Sequence, residues 1–317
     1  MTIDRVATNS QSQLMLSQIM QSENTLNKTQ AQVTSGKVAT DYAGMGDKTA
    51  VLEATRSLSE RTTAYQSATT AASNQVDLQN TQLSSLSDLA NTLRSDITTA
   101  VANNDGSTLM SDAQGVMDQL TQILNTKDAN GNYIYGGDNN NQPPVTVSSL
   151  SDLTSLSSIS QAFQNGSKTS SVMVADGQTV KVGVLASDVG TQLMQTLKDI
   201  ADYNAGTDGN FSTAMTSTQS SFLSGEVQSA VDAANQVNNA AATNGNNYQQ
   251  LQNALASQTS LSTMYKGFVS DLQDVDMATA ITNLNQNQVA LQAAMQVTSQ
   301  LNQISLLNYL PATGMVG

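Results

Sequence analysis

No cysteine, histidine or tryptophan occurs in the 317 residues, and only three prolines do. Without Cys there is no disulfide framework and no thiolate nucleophile. Without Cys or His the tetrahedral zinc sites and the common nucleophile-base pairs are out of reach. Aromatic residues make up 4% and charged residues 12%, the latter about half the usual share; Ala, Ser, Thr, Asn and Gln fill the gap. The formal net charge is -13, which makes nucleic acid and anionic membrane surfaces unsuitable partners. No stretch approaches the roughly 20 apolar residues of a membrane span, and Met-Thr-Ile-Asp-Arg at the start is not a basic segment leading into an apolar one. The expectation is a chain that inserts into no membrane and carries no cleaved Sec signal. So polar a composition also fits disorder. Apolar residues nonetheless recur with helical spacing over long stretches, which disordered segments do not show.

Two of the prolines, Pro143 and Pro144, are adjacent near the middle, and the third is Pro311. Between Asp47 and Asp105 there is neither Gly nor Pro, and Val76, Leu83, Ala90 and Ile97 recur every seven residues with Leu86, Leu93 and Ala100 between them. That spacing predicts one long helix. A second helix is expected from Asp112 to Leu124 on Val116, Leu120 and Ile123. From Asp128 the texture turns to Asn, Gly and Asp, the chemistry of turns. Val172 and Val174, then Val180, Val182 and Val184, flank Asp176-Gly177, which predicts a β-hairpin. Leu193, Leu197 and Ile200 imply a short helix. From Gly225 a second heptad-like stripe runs through Val227, Ala234, Val237, Tyr248, Leu251, Leu255 and Leu272, with breaks expected at Gly245 and Gly267.

The predicted fold is mainly α: an elongated antiparallel helical rod, a coiled bundle of N- and C-terminal arms, with a small β-containing central insert. Its expected parts are an N-terminal assembly helix and turn over 1–46, a long helical arm over 47–130, and an outer insert over 131–224. A returning arm over 225–273 and a C-terminal assembly helix over 274–317 complete it.

The two ends carry the functional signal. No charged side chain occurs from Val6 to Ser22 or from Met277 onward. Each end is amphipathic: Met15, Ile19, Leu26 and Val33 share one helical face, and Ile281, Leu284, Leu291 and Met295 share another, with Val297, Leu301 and Ile304 drifting around the same side and Leu307 expected to join the assembly contacts. A surface helix facing water normally carries Lys and Glu on its outer side. Here that side holds amides such as Gln286, Gln288, Gln292, Gln296 and Gln300, which can be covered by protein without burying an ion. Two terminal helices cannot cover both faces of each other, so other subunits are expected to supply the rest. The alternatives are core helices of a soluble bundle and membrane-surface helices; the latter usually bear Lys or Arg on the polar face.

These residues also carry a resemblance. Leu26-Asn27-Lys28-Thr29-Gln30-Ala31-Gln32-Val33-Thr34-Ser35-Gly36-Lys37-Val38 resembles the flagellin N-terminal domain, where a helix runs into a Ser/Thr-Gly turn and a basic residue. Asp274-Val275-Asp276-Met277-Ala278, with Gln288 to Ala293 and Leu306 to Leu310, is similar to the flagellin C-terminal domain. Gly131-Asn132-Tyr133-Ile134-Tyr135-Gly136-Gly137 is similar to the phrase that marks the hook-filament junction family within that superfamily. Where the family often has an Arg and two acidic residues after the first turn, this chain has Val38 to Asp47. The resemblance implies a non-enzymatic, extracellular flagellar subunit exported by the flagellar type III route. It also implies an export chaperone, a ring of copies of the chain, hook-associated protein 1 on one side and flagellin on the other. Filament flagellin remains an alternative, as does a glycan-binding or adhesive module in the insert.

No cofactor or metal site is expected. Asp274 and Asp276 could be drawn as an acid pair, but both precede an apolar-periodic helix, where Asp caps the first turn. Asp128 to Asn132 has the oxygen-rich look of a calcium loop without the later acidic ligand, and reads as a tight turn. Tyr133 and Tyr135 are expected to pack where the insert meets the rod.

Overall fold

The computed structural model describes residues 2–307, with side chains over 10–300. Its helices are α1 (Thr2–Ser35), α2 (Tyr42–Met45), α3 (Lys48–Asn103), α4 (Leu109–Leu124), α5 (Leu150–Ser155), α6 (Ala186–Ala205), α7 (Ser217–Gln273) and α8 (Met277–Leu307), with a 3-10 turn at Ile159–Ala162. Strands β1 (Ser170–Ala175) and β2 (Gln178–Val182) form the one sheet among the described residues. The chain is mainly α, as expected, and divides into two compact units. One comprises Met1–Glu60 with Ser262–Gly317, the other Arg61–Leu261.

The second unit is built on α3. Its heptad residues Leu83, Leu86, Ala90, Leu93 and Ile97 are fully buried. They share one core with Val116, Met117 and Leu120 of α4, Val189, Leu193 and Leu197 of α6, and Leu223, Ala233 and Val237 of α7. Helices α3 and α7 run antiparallel, since Gln66 bonds Thr259, Asn244 reaches Val76, and Asp105 pairs with Thr213. Tyr203 stacks between Phe211 at 5.6 Å and Phe222 at 4.1 Å between centroids.

The hairpin forms where expected, with Ser170 opposite Val182, Val172 opposite Val180, and Gly177 at φ +70 in the turn. That positive φ suits Gly because no Cβ is present to clash. Its inner face, Val174, Val180 and Val182, packs on Ala72 and Val76 of α3 and Leu251 of α7. Residues 131–224 are therefore not a body of their own. Tyr135, Leu150, Leu153, Ala162 and most of α6 lie in the same core as α3, α4 and α7. Helices α4 and α6 bury apolar faces in that core, where they also pack against each other and against α5.

Three buried amides hold these parts together. Gln79 Nε2 donates to Ile134 O at 2.9 Å, and Gln258 Nε2 donates to Val174 O at 3.0 Å. Asn244 Nδ2 donates to Val76 O at 3.0 Å and to Asn80 Oδ1 at 2.9 Å.

Helix α7 passes through Gly245 and Gly267 without the expected breaks. A helical Gly costs about 1 kcal/mol relative to Ala, less than the packing of the neighbouring turns contributes. A Cβ built at Gly245 meets nothing within 4 Å. Gly245→Ala should therefore stabilise the protein by about 0.5–1 kcal/mol, read as a raised midpoint in urea. A lowered midpoint would show that a close neighbour or a non-helical backbone constrains this position.

Candidate assembly surface on the terminal helices

Helices α1 and α8 lie antiparallel. Along α1, Met15, Ile19, Ser22, Leu26 and Val33 are half-buried and Thr29 is buried. Along α8, Ala280 is buried and Leu284, Asn287, Leu291, Ala294 and Thr298 are half-buried. Both runs have alternating three- and four-residue steps, the spacing of a two-helix seam. Asn287 Nδ2 donates to Thr29 Oγ1 at 2.9 Å, and that hydroxyl donates to Thr25 O at 2.8 Å. Small and polar seam residues leave a groove of about 440 Å³ lined by Gln18, Gln21, Ser22, Thr25, Asn287, Ala290 and Ala294.

Both helices are tied at one end. Gly36, at φ +69, ends α1 by donating its N–H to Gln32 O at 2.9 Å. Past it, Val38 N donates to Gln273 O at 2.8 Å and Val275 N donates to Gly36 O at 3.0 Å. Gln32 Nε2 donates to Val38 O at 2.8 Å, and Arg56 Nη2 donates to Gln273 Oε1 at 2.9 Å. Asp276 then starts α8. Its carboxylate accepts from the Thr279 hydroxyl at 2.8 Å and from the Ala278 N–H at 3.0 Å. Those bonds, the Thr279 hydroxyl first, hold its pKa below the ordinary carboxylate value. The capping reading thus applies to Asp276, whereas Asp274 accepts from the Ser270 hydroxyl.

The structure sorts the residues singled out from sequence. Met15, Ile19, Leu26, Val33, Leu284 and Leu291 enter the seam, while Ile281 and Met295 stay exposed beside it. The side chains of Leu301 and Leu307 lie outside those described. Tyr135 is fully buried, but Tyr133 is only half-buried, with Lys127 Nζ 4.7 Å from its ring centroid. Stripe-reading missed Leu14, Leu16, Met20 and Val289, all exposed, with Val289 at 65% and Leu14 at 61%, while Val297, placed on the C-terminal stripe, is exposed as well. The available signal was that these large apolar residues lie off the seam in the charge-free stretches of α1 and α8. Surfaces of this kind can exclude water only against another apolar surface. Among the described residues no cluster of His, Cys, Asp or Glu could hold a metal, and no helix is long and apolar enough to cross a membrane.

The bacterial flagellin N-terminal helical region matches residues 6–140, and the flagellin C-terminal helical region matches residues 227–310, together more than half of the chain. The chain belongs to the flagellin family. The uncharged parts of α1 and α8 fall inside the two flagellin matches, while α5, the hairpin and α6 lie between them. A similar solved structure is that of a flagellar hook-associated protein from Vibrio parahaemolyticus, at TM-score 0.59 and 15% identity, covering 74% of this chain and 99% of that one. Bacillus cereus FlgL is also similar, at TM-score 0.48 and 15% identity, covering 71% and 98%. No curated protein matches the sequence. A flagellin-family chain is a structural component of the flagellum, a kind of protein not known to be enzymatic.

Proposed function

We propose that this flagellar subunit joins hook to filament, as one of a ring of copies held together by α1 and α8. The observation that carries the assembly reading is the pair of charge-free helical stretches, Val6 to Ser22 and Met277 onward, whose large apolar residues remain exposed beside a thin seam. Burying those residues against neighbours offsets the loss of freedom on joining a ring. The junction assignment rests on Gly131 to Gly137, which resembles the junction family's phrase, and is supported by the fold shared with a flagellar hook-associated protein. In this reading hook-associated protein 1 lies on the hook side and flagellin on the filament side. A chaperone shields the terminal helices until export through the flagellar type III apparatus.

Electron microscopy of a strain lacking the gene tests it. Hooks without filaments are expected, with flagellin monomers released into the medium. Normal hooks and filaments would sink the junction role. Loss of the bulk filament subunit itself, detected by its high copy number, would assign the chain as filament flagellin instead.

A further inference from the structure

Between the start of the hairpin and the loop after α4 lies a partly open cavity of about 190 Å³. It belongs to the 61–261 unit and is far in sequence from the terminal helices. Its wall carries the amides of Gln75, Asn132 and Asn140, the Thr169 hydroxyl, the Asp128 carboxylate and the Tyr133 ring. No protein group pairs with the side chains of Gln75, Asn132, Asn140 or Thr169 among the described residues. Asp128 is partly committed: its Oδ1 accepts from the Asn130 and Asn132 N–H groups at 2.8 and 2.9 Å.

We infer that this cavity binds a neutral polyhydroxy ligand of monosaccharide size. Each amide offers both donors and an acceptor, and the Thr hydroxyl does the same, which matches sugar hydroxyls that need both at once. An anion would meet the Asp128 carboxylate, and the cation nearest the Tyr133 ring, Lys127, is not part of the lining. An apolar ligand would leave several amides without partners. A tyrosine ring in the wall gives the C–H face of a pyranose an apolar surface to lie against. Size agrees as well. The volume equals about six water molecules at roughly 30 Å³ each, below that of drug-sized pockets, and so fits one sugar ring rather than an oligosaccharide. With about 12 non-hydrogen atoms, such a ligand should bind with a dissociation constant on the order of 1 mM.

Saturation-transfer NMR on the full chain tests this, using glucose, galactose, N-acetylglucosamine and rhamnose each at about 10 mM, with inorganic phosphate titrated in parallel and followed by phosphorus NMR. At least one sugar should show transfer, and phosphate should show no binding. The Asn132→Ala/Asn140→Ala double variant should weaken that sugar about tenfold with an unchanged melting temperature, since neither amide serves the fold. Gln75→Ala, on a different element, should weaken the same sugar and guards against a local rearrangement in the double variant. Absence of transfer from all four sugars, transfer undiminished in both variants, or preferential binding of phosphate would each overturn the inference.

Discussion

A Val289→Asp chain should fold and melt like the parent yet be absent from assembled flagella. Val289 is 65% exposed on α8, so in the free chain the new carboxylate is hydrated and the stability change stays within about 0.5 kcal/mol. In the proposed ring the same position would be covered by a neighbour's terminal helices, whose charge-free stretches offer no Lys or Arg to pair with it. An unpaired ion would then be buried, at about 3–5 kcal/mol per copy, and the penalty recurs at every subunit. Val289→Gln is the control, because an amide can pair with the amides around it. The measurement combines circular dichroism of the purified chain with immunogold labelling of flagella. Labelled flagella from the Asp variant would show that this side of α8 stays in water. Leu291→Asp is a poorer probe, since Leu291 sits in the seam with α1 and its loss damages the chain before assembly.

Replacing Asp138 to Gly206 with a short Gly/Ser linker should abolish cooperative folding of the middle unit, not merely remove a decoration. The excised stretch contributes Val145, Leu150, Leu153, Val189, Leu193, Met194, Leu197 and Ile200, each buried in the common core. Truncating one buried Leu or Ile to Ala costs about 2–5 kcal/mol, and a domain has about 5–15 kcal/mol in total. Eight such losses cannot be absorbed. Leu86, Leu93, Met117 and Leu120 would also lose neighbours from the removed stretch. The expected thermal scan is broad or featureless, with rapid proteolysis of 61–261. A sharp transition within a few degrees of the parent would show that α3, α4 and α7 hold together alone.

How much of this architecture was legible in the sequence depends on what each signal encodes. The long helices were legible because Val76, Leu83, Ala90 and Ile97 repeat at a period only a helix seam produces, and the hairpin because Asp176-Gly177 sits between alternating valines. Helix α5 was not legible, although Ser149 and Asp152 form a reciprocal capping box, because six residues in a Ser-rich run carry no periodicity. The core that 131–224 shares with the long helices was not legible, because glycine turns mark where the chain changes direction, not which faces end up together. On the terminal helices the charge-free stretches were legible. The division of apolar residues between seam and outer side was not, since Leu284 and Ile281 differ by less than one turn and only the position of α1 separates them.

The buried amides of the α3–α7 pair fix a length standard. Stretches of this seam are made of Ala90, Ala230, Ala233 and Ala234, small knobs that resist a slip of α7 along α3 by one heptad, about 10 Å, less than large ones would. Such a slip would carry Gln258 away from the Val174 carbonyl and Asn244 away from the Asn80 amide, leaving buried polar groups unpaired at about 1–3 kcal/mol each. The amides thus add to the large buried residues in selecting one alignment. Every copy consequently carries its hairpin at the same level along the pair, as a repeating assembly of identical parts requires.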